Sequence, residues 1–234
     1  MSRKNLVVTI GRQYGSGGRE IGSTLATQLG VAYYDKKLVH LAAESSGFSV
    51  EAFAKQDESV GRGLAWLFSY APHHGMVAEG GIPLDDQLFI AQANAIKRIA
   101  RERSCVIVGR CADYVLDDMR DEVNLVNVFI LSEEQARAER IARRNDLSVE
   151  EARSRLKQIA KRRAAYYERY TDRTWADPHN FDLTINSAHL PASGAADVIV
   201  SYLAARGLIT REELPLDPDE PRDLGEEPLT PPAR

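Results

Sequence analysis

The sequence has few cysteines and no long hydrophobic run. Its 234 residues include only Cys105 and Cys111, too few for a disulfide framework or a cysteine-rich metal site. No apolar stretch approaches the roughly 20 residues that cross a bilayer. Residues Met1–Lys4 lead directly into an apolar strand, which leaves no room for a signal-peptide core. These absences exclude secreted, disulfide-rich and membrane-bound classes, and they predict a cytoplasmic protein.

The charge of the chain is divided between two regions. Residues 212–234 hold eight acidic residues, two arginines and six of the ten prolines. This segment has a charge of −6, whereas the net charge of the whole chain is −4. The composition predicts a disordered acidic tail, which is a candidate segment for binding another protein. Residues 1–211 carry a charge of only +2. This nearly neutral domain argues against a general nucleic-acid-binding protein.

Short apolar strands alternate with helical patterns along residues 1–211. Such alternation predicts an α/β fold with a parallel sheet covered on both faces. Two capping-box patterns, Ser132–Gln135 and Ser148–Glu151, place helix starts near 133 and 149. The predicted strands are 6–10, 31–34, 105–108, 124–131 and 181–186. A helical pattern with Ile21, Leu25 and Leu29 on one face follows the first strand, and further helices are predicted at 37–45, 84–103, 133–145, 149–170 and 192–205.

A glycine-rich turn follows the first strand. Four glycines occur within residues 11–18, and a helical pattern begins directly after them. Backbone N–H groups at such a helix start converge on an anion, which predicts phosphate binding by Gly15, Ser16, Gly17, Gly18 and Arg19. A strand-to-helix turn without a ligand is the alternative.

The turn departs from the P-loop pattern G-x-x-x-x-G-K-[ST]. Depending on the register, Gly18 or Arg19 occupies the lysine position, and no Ser or Thr follows it. We therefore expect Arg19 to supply the cation of the turn.

Three further segments follow predicted strands, and active sites of parallel sheets lie at the carboxyl ends of strands. Asp35 follows the second strand, Gly109-Arg110 the third, and the residues after Ile185 the last. We predict that they meet the glycine turn at one edge of the sheet. Asp35 is either a ligand or a helix cap, and Arg110 lies either in the cleft or on the surface. We interpret His73-His74 as an exposed loop, so no metal-ligating protein site is predicted.

Residues 133–173 are rich in arginine. They contain twelve Lys and Arg residues, ten of them Arg, against eight Asp and Glu residues. Some form i,i+4 pairs on solvated helix faces. Phosphoryl transfer needs cations around the migrating group, and arginine binds phosphate oxygens in bidentate fashion. Arg143, Arg144, Arg162 and Arg163 are the predicted catalytic cations of a helical lid that excludes water.

The motifs together resemble the cytidylate-kinase-like branch of the P-loop nucleoside monophosphate kinases. The likeness spans about residues 5–207. It is carried by residues 10–20, 34–38, 106–110, 128–132, 166–167, 175–177 and 181–186.

This resemblance implies a three-layer α/β/α P-loop kinase domain over 1–211. An acceptor-binding insert at about 48–82 and an Arg-rich helical lid at about 145–175 would belong to it, and only the tail, 212–234, lies outside. It implies transfer of the ATP γ-phosphoryl group to a nucleoside monophosphate such as CMP or dCMP, with Mg²⁺. Asp35 would then lie near the acceptor nucleotide and Arg110 would hold its phosphate. Ser16 or Asp35 is the candidate Mg²⁺ ligand if the protein provides one.

Two other functions compete with this prediction. An ATP-binding regulator without catalysis, a pseudokinase, would also retain the glycine turn while lacking the lysine. A dinucleotide-dependent Rossmann enzyme is disfavoured because the turn lacks G-x-G-x-x-G spacing. The identity of the acceptor and a homo-oligomeric state are left open by the sequence.

Overall fold

The computed structural model of the chain describes residues 4–35, 84–210 and Leu214. Elements are numbered in chain order over these residues. The strands are β1 (Leu6–Arg12), β2 (Ala32–Tyr34), β3 (Cys105–Val108), β4 (Asn124–Leu131) and β5 (Leu183–Asn186). The helices are α1 (Gly18–Leu29), α2 (Leu84–Glu102), α3 (Ala112–Val115), α4 (Glu134–Asn145), α5 (Val149–Thr171) and α6 (Ala192–Ala205), with short 3₁₀ turns at Asp117–Met119 and Pro178–Asn180.

The five strands form one parallel sheet in the order β2-β3-β1-β4-β5. The strand β1 is central, and Val8 pairs with Val106 on one side and with Val126 on the other. The chain builds the β2-β3 side first and crosses to β4 afterwards, which creates a switch point at β1. Ligands of open α/β sheets bind at such a point, beyond the carboxyl ends of the strands.

Helices cover both faces of this sheet, and alternate residues of β1 belong to different cores. Leu6, Val8 and Ile10 pack with α1 and α6, whereas Val7 packs with α2 and α3. The buried hydroxyl of Thr9 donates a 2.7 Å hydrogen bond to Asn127 Oδ1 on β4. The predicted α/β fold with a parallel sheet is therefore confirmed. Within the described part of the chain, no helix combines the length and the apolar character needed to cross a membrane.

Several predicted boundaries agree closely with the structure. The helix predicted at 84–103 is Leu84–Glu102, the strands at 105–108 and 124–131 are observed, and α6 spans Ala192–Ala205 as predicted. The capping box at Ser148 is formed, because its hydroxyl accepts from the Glu151 amide while the Glu151 carboxylate accepts from the Ser148 amide.

The capping box predicted at Ser132 is wrong. The helix begins at Glu134 after Glu133, without a side-chain cap. The Ser132 amide instead donates a 3.1 Å hydrogen bond to Gln13 Oε1, and its carbonyl accepts from Arg137 Nε. Ser132 therefore holds the turn after β1.

The last strand begins at Leu183, later than predicted. Asp182, which precedes it, accepts a hydrogen bond from the Asn127 amide through its carboxylate. The predicted helix 37–45, the insert 48–82 with His73-His74, and the tail 212–234 lie outside the described residues, apart from Leu214.

Candidate active site

The turn between β1 and α1 leads directly into a helix N-terminus. Gly15 and Gly17 adopt left-handed conformations, with φ of 82° and 79°. Gly17 is the N-cap of α1 and provides no side-chain hydrogen bond to it. The first amides of an α-helix lack partners within the helix. The turn can therefore bind an anion through these amides.

Three contacts from neighbouring elements hold this turn in place. The Gln13 amide donates to the Ile130 carbonyl at 2.9 Å. The buried Ser187 hydroxyl, just beyond β5, donates a 2.7 Å hydrogen bond to the Ser16 carbonyl. Gly15 packs so closely on α4 that a Cβ there would lie 3.0 Å from Arg137 Cβ. The conformation of the turn is thus fixed without a ligand.

Ser16 faces into the protein rather than into the cleft. Its side chain is buried and its hydroxyl donates a 2.9 Å hydrogen bond to the Gln13 carbonyl. Ser16 can therefore contribute to an anion site through its backbone, but its hydroxyl is not aimed at a ligand.

A cavity of about 660 Å³ opens above the turn, within the range of small-molecule sites. Its cationic lining comes from β1, α1, α4 and α5. Six arginines and one carboxylate contribute to it: Arg12, Arg19, Arg140, Arg144, Arg155, Arg163 and Glu20. We call this the loop cavity. Such an excess of positive charge favours a polyanionic ligand.

One carboxylate joins two of these arginines. Asp35, directly after β2, forms a close ion pair with Arg19 Nε, and its other oxygen lies 3.9 Å from a terminal nitrogen of Arg12. Burial lowers the pKa of Arg12 to about 10, although Asp35 partly offsets this effect. Arg12 therefore remains protonated at neutral pH. Asp35 fixes the position of Arg19, but its single negative charge leaves the arginines of the loop cavity with a large excess of positive charge.

Arg163 on α5 lies beside Arg12 in the wall of the loop cavity. Its guanidinium donates a 2.6 Å hydrogen bond to the Arg12 carbonyl. Burial, with the positive charges of Arg12 and Arg19 nearby, lowers the pKa of Arg163. A cluster of buried like charges is costly without anions. The arrangement is typical of a site that binds phosphate groups.

A second, smaller cavity of about 50 Å³ adjoins the first. We call it the aromatic cavity, because five aromatic side chains contribute to its wall. The wall consists of Gly11, Arg12, Gly109, Arg110, Cys111, Asp113, Phe129, Arg163, Tyr166, Tyr167, Trp175 and Phe181. Arg12 and Arg163 belong to both cavities. The two spaces therefore share a cationic wall.

Arg110 reaches this cavity through an unusual backbone. Three consecutive residues after β3 have positive φ: Gly109 at 79°, Arg110 at 64° and Cys111 at 53°. A non-glycine residue in this conformation costs about 1–3 kcal/mol, and such residues concentrate at functional sites. Burial lowers the pKa of Arg110. This backbone places the half-buried Arg110 side chain in the wall of the aromatic cavity.

The structure brings most of the predicted site residues together. Gly15, Gly17, Gly18, Arg19, Arg144 and Arg163 line the loop cavity, and Arg110 and Arg163 line the aromatic cavity. Asp35 lies beside them through its ion pairs.

Two predicted lid residues lie elsewhere. Arg143 is 73% exposed and its guanidinium lies 4.0 Å from Glu139, and neither cavity wall includes Arg143 or Arg162. Consecutive residues of an α-helix point about 100° apart. Arg143 on α4 and Arg162 on α5 therefore point in a different direction from Arg144 and Arg163, the neighbours that line the loop cavity.

Sequence reasoning missed Arg12, Arg140 and Arg155. Helical phase could have revealed two of them: Arg140 lies four residues before Arg144, and Arg155 eight residues before Arg163, so each shares a face with a predicted residue. Arg12 gave no comparable signal. The space for its side chain depends on the absence of a Cβ at Gly18 and at Gly109.

Comparisons with known proteins agree with this geometry. The family model described as the cytidylate kinase-like family matches residues 7–189. A cytidylate kinase from Methanopyrus kandleri is 27% identical over 185 residues, which cover 76% of this chain and 81% of that protein.

Solved structures show the same architecture. An uncharacterised protein from Eubacterium ventriosum aligns with a TM-score of 0.62 and 25% identity, covering 86% of this chain and all of that one. A gluconokinase from Sinorhizobium meliloti aligns with a TM-score of 0.51 and 18% identity, covering 88% of this chain and 97% of that one. The latter likeness concerns the fold alone, and it confirms the predicted P-loop kinase fold.

Proposed function

Because the chain belongs to the cytidylate kinase-like family, we propose that it transfers the γ-phosphoryl group of ATP to a nucleoside monophosphate of the CMP or dCMP type. The observation that carries the proposal is the shared wall of the two cavities. Arg12 and Arg163 line both spaces, so one set of cations can contact donor and acceptor phosphates together.

The loop cavity suits the donor triphosphate. The amides at the start of α1 would bind phosphate oxygens, and Arg19, Arg140, Arg144 and Arg155 surround the same space. The guanidinium of Arg140 lies directly over Gly17. It therefore reaches the turn at the point where a bound phosphate would lie.

The aromatic cavity suits the acceptor phosphate. Arg110 is the cation that belongs to this cavity alone, and its volume of about 50 Å³ accommodates a small anionic group but not a whole nucleotide. The base and sugar would extend out of it. Asp35, at the end of the described residues before the insert, would lie near the acceptor.

The proposed reaction is an in-line transfer. An oxygen of the acceptor phosphate bonds to the γ-phosphorus while the bond from that phosphorus to the bridging oxygen breaks, and the electron pair stays on the β-phosphate of ADP. The protein contributes positioning and positive charge, which supply most of the catalysis in such transfers. The helices α4 and α5, which carry Arg140, Arg144, Arg155 and Arg163, would act as the lid.

Kinases of this fold typically use Mg²⁺ with ATP, but the described side chains do not fit a magnesium site of their own. Among them, no three His, Cys, Asp or Glu residues are arranged to hold a metal ion. Ser16 uses its hydroxyl within the turn, and Asp35 pairs with Arg19. Magnesium bound mainly through phosphate oxygens and water would be compatible with these residues, since Mg²⁺ retains several waters in nucleotide sites.

The direct test is a phosphorylation screen. Purified protein is incubated with ATP, Mg²⁺ and CMP, dCMP, UMP, AMP or GMP, and nucleoside diphosphate and ADP are separated by ion-exchange chromatography. We expect equal amounts of the two products, with the highest kcat/KM for CMP or dCMP. Absence of turnover on all acceptors would contradict the proposal.

An ATP-binding regulator is the second candidate function. Gly18 and Arg19 favour it, because they occupy the positions at which a P-loop has its lysine and its hydroxyl residue. The Ser16 hydroxyl does not replace the missing one, because it is hydrogen-bonded within the turn. Calorimetry that detects ATP binding in a protein inactive on every acceptor would support this function.

A further inference from the structure

Arg12 lines both cavities, and among the described residues only Arg163 does the same. Arg12 is the last residue of β1, and its side chain is 11% exposed. The side chain runs from the glycine turn towards the loop after β3. It therefore crosses the boundary between the two proposed phosphate sites.

Two glycines make room for this side chain. A Cβ built at Gly18 would lie 2.6 Å from Arg12 Cβ and 3.1 Å from its Cγ. The guanidinium occupies the space where Gly109 would carry a side chain, and a Cβ there would lie 2.9 Å from Arg12 Cζ. Real Cβ atoms do not approach other atoms so closely. A side chain at position 18 would clash with the Arg12 Cβ, and a side chain at position 109 would displace the Arg12 guanidinium.

The first of these glycines occupies the position at which a P-loop has its lysine. Gly17 is the N-cap of α1 and Gly18 is the first residue of the helix. With Gly17 as the second glycine of the P-loop pattern, Gly18 occupies the lysine position. A lysine at position 18 and an arginine at position 12 exclude each other sterically.

We propose that Arg12 takes the place of the P-loop lysine, binding the β- and γ-phosphates of the donor from the end of β1 and the acceptor phosphate on its other side. This inference depends on the proposed function. The planar guanidinium carries five N–H donors, so it can bridge oxygens of two phosphate groups where a lysine ammonium binds as a point charge.

Arg12 fits this role better than Arg19, the cation expected from the sequence. Asp35 forms a close ion pair with Arg19, whereas its distance to Arg12 is 3.9 Å. Arg19 lines only the loop cavity, whereas Arg12 lines both. Arg19 therefore serves the donor alone, and Arg12 is placed along the path of the transferred group.

Substitution of Arg12 tests the proposal. We expect Arg12→Gln to lower kcat by about 10²–10³-fold, the usual cost of removing one transition-state donor. The KM values for both ATP and the acceptor should rise. Arg12→Lys should recover part of kcat, because it retains a charge. The exposed Arg98→Gln, whose ion pair with Glu102 is 3.9 Å long, is the matched control and should behave as wild type.

Two readouts separate this role from a structural one. The cost of burying the Arg12 charge, together with repulsion from Arg19 and Arg110, outweighs its attraction to Asp35, so the melting temperature of ligand-free Arg12→Gln should be unchanged or higher. A lower melting temperature with unaltered kinetic constants would overturn the proposal.

Gly18→Lys alone should inactivate the protein, whereas the double variant Arg12→Gly/Gly18→Lys should regain measurable activity. Equal inactivity of these two variants, in folded protein, would also count against it.

The inference and the proposed function fail in different ways. Wild-type kinetic constants in Arg12→Gln would overturn the role of Arg12 and leave the kinase function intact. If wild-type protein turns over no acceptor, calorimetry with ADP and inorganic pyrophosphate still tests Arg12. Weaker binding by Arg12→Gln than by Arg98→Gln would then support its phosphate contact, and equal binding would overturn it.

Discussion

The hydroxyl of Tyr167 on α5 donates a 2.6 Å hydrogen bond to the carboxylate of Asp113 on α3, and both residues are buried. Burial raises the pKa of Asp113, while the hydrogen bond from Tyr167 counteracts this rise. The contact ties the proposed lid helix to the loop that carries Arg110. It lies in the wall of the aromatic cavity.

We predict that Tyr167→Phe destabilises the protein, by about 1–3 kcal/mol, and more at neutral than at acidic pH. The folded pKa of Asp113 is already raised, so its contribution to stability falls as the pH rises through that value. Removing the Tyr167 hydroxyl raises this pKa further, because the lost bond favoured the ionised form. The penalty therefore grows with pH as Asp113 ionises.

Urea unfolding at about pH 4.5 and about pH 8 measures this effect. Tyr114→Phe is the control, because Tyr114 is 38% exposed and its ring, which stacks with Arg173, is retained. A penalty that is the same at both pH values would show that Asp113 is not ionised differently in the variant.

Gly17→Ala should destabilise the turn and weaken ATP binding. Gly17 has a φ of 79°, which costs an alanine about 1–2 kcal/mol, and its new Cβ would displace the guanidinium of Arg140. Thermal unfolding and calorimetric titration with ATP measure the two effects. Gly194→Ala in α6 is the matched control, because its Cβ would meet Pro191 at an ordinary 3.4 Å. Undiminished ATP affinity in Gly17→Ala would separate the glycine turn from nucleotide binding.

The fold was largely predictable because its signals are local. Buried apolar runs such as Cys105–Val108 predict strands of a parallel sheet, and the capping box at Ser148 marks its helix start correctly. The same pattern failed at Ser132, because its amide is used by Gln13. A contact between distant parts of the chain overrode a local preference.

The site was predictable in outline but not in its central residue. Strand ends identified Asp35 and Arg110, since parallel strands bring their carboxyl ends to one edge. Arg144 lines the loop cavity and Arg143 is exposed, because adjacent residues of α4 point in different directions. A high arginine content could not distinguish the two. Arg12 could not be identified, because the space it occupies depends on Gly109, which only the folded sheet brings beside it.

Arg140→Ala should raise the KM for ATP about tenfold or more, with a smaller effect on the KM for the acceptor. Arg140 lines the loop cavity only, and a hydrogen bond to a charged group contributes about 1.5–3 kcal/mol. We expect Arg143→Ala to have a smaller effect on the KM for ATP. Steady-state kinetics with each substrate varied in turn provide the comparison, with Arg98→Ala as the surface control. A larger effect at Arg143 would mean that α4 presents another face to the nucleotide.

Ser187→Ala tests whether the strand β5 positions the glycine turn. The Ser187 hydroxyl donates a 2.7 Å hydrogen bond to the Ser16 carbonyl, and the Leu131 carbonyl lies 3.1 Å from the same hydroxyl oxygen. Its loss leaves a buried carbonyl without this donor, so we expect about 1–3 kcal/mol of destabilisation. ATP affinity should fall as well, because the amides that follow Ser16 would lose their fixed orientation.

Hydrogen exchange separates these two effects of Ser187→Ala. The amides of residues 15–19 should exchange faster than in wild type, whereas those of β1 should not, since their sheet hydrogen bonds to β3 and β4 are retained. Ser193→Ala, at an exposed position of α6, is the control. Faster exchange throughout β1 would mean that Ser187 stabilises the whole sheet, and its loss would then reveal nothing specific about the turn.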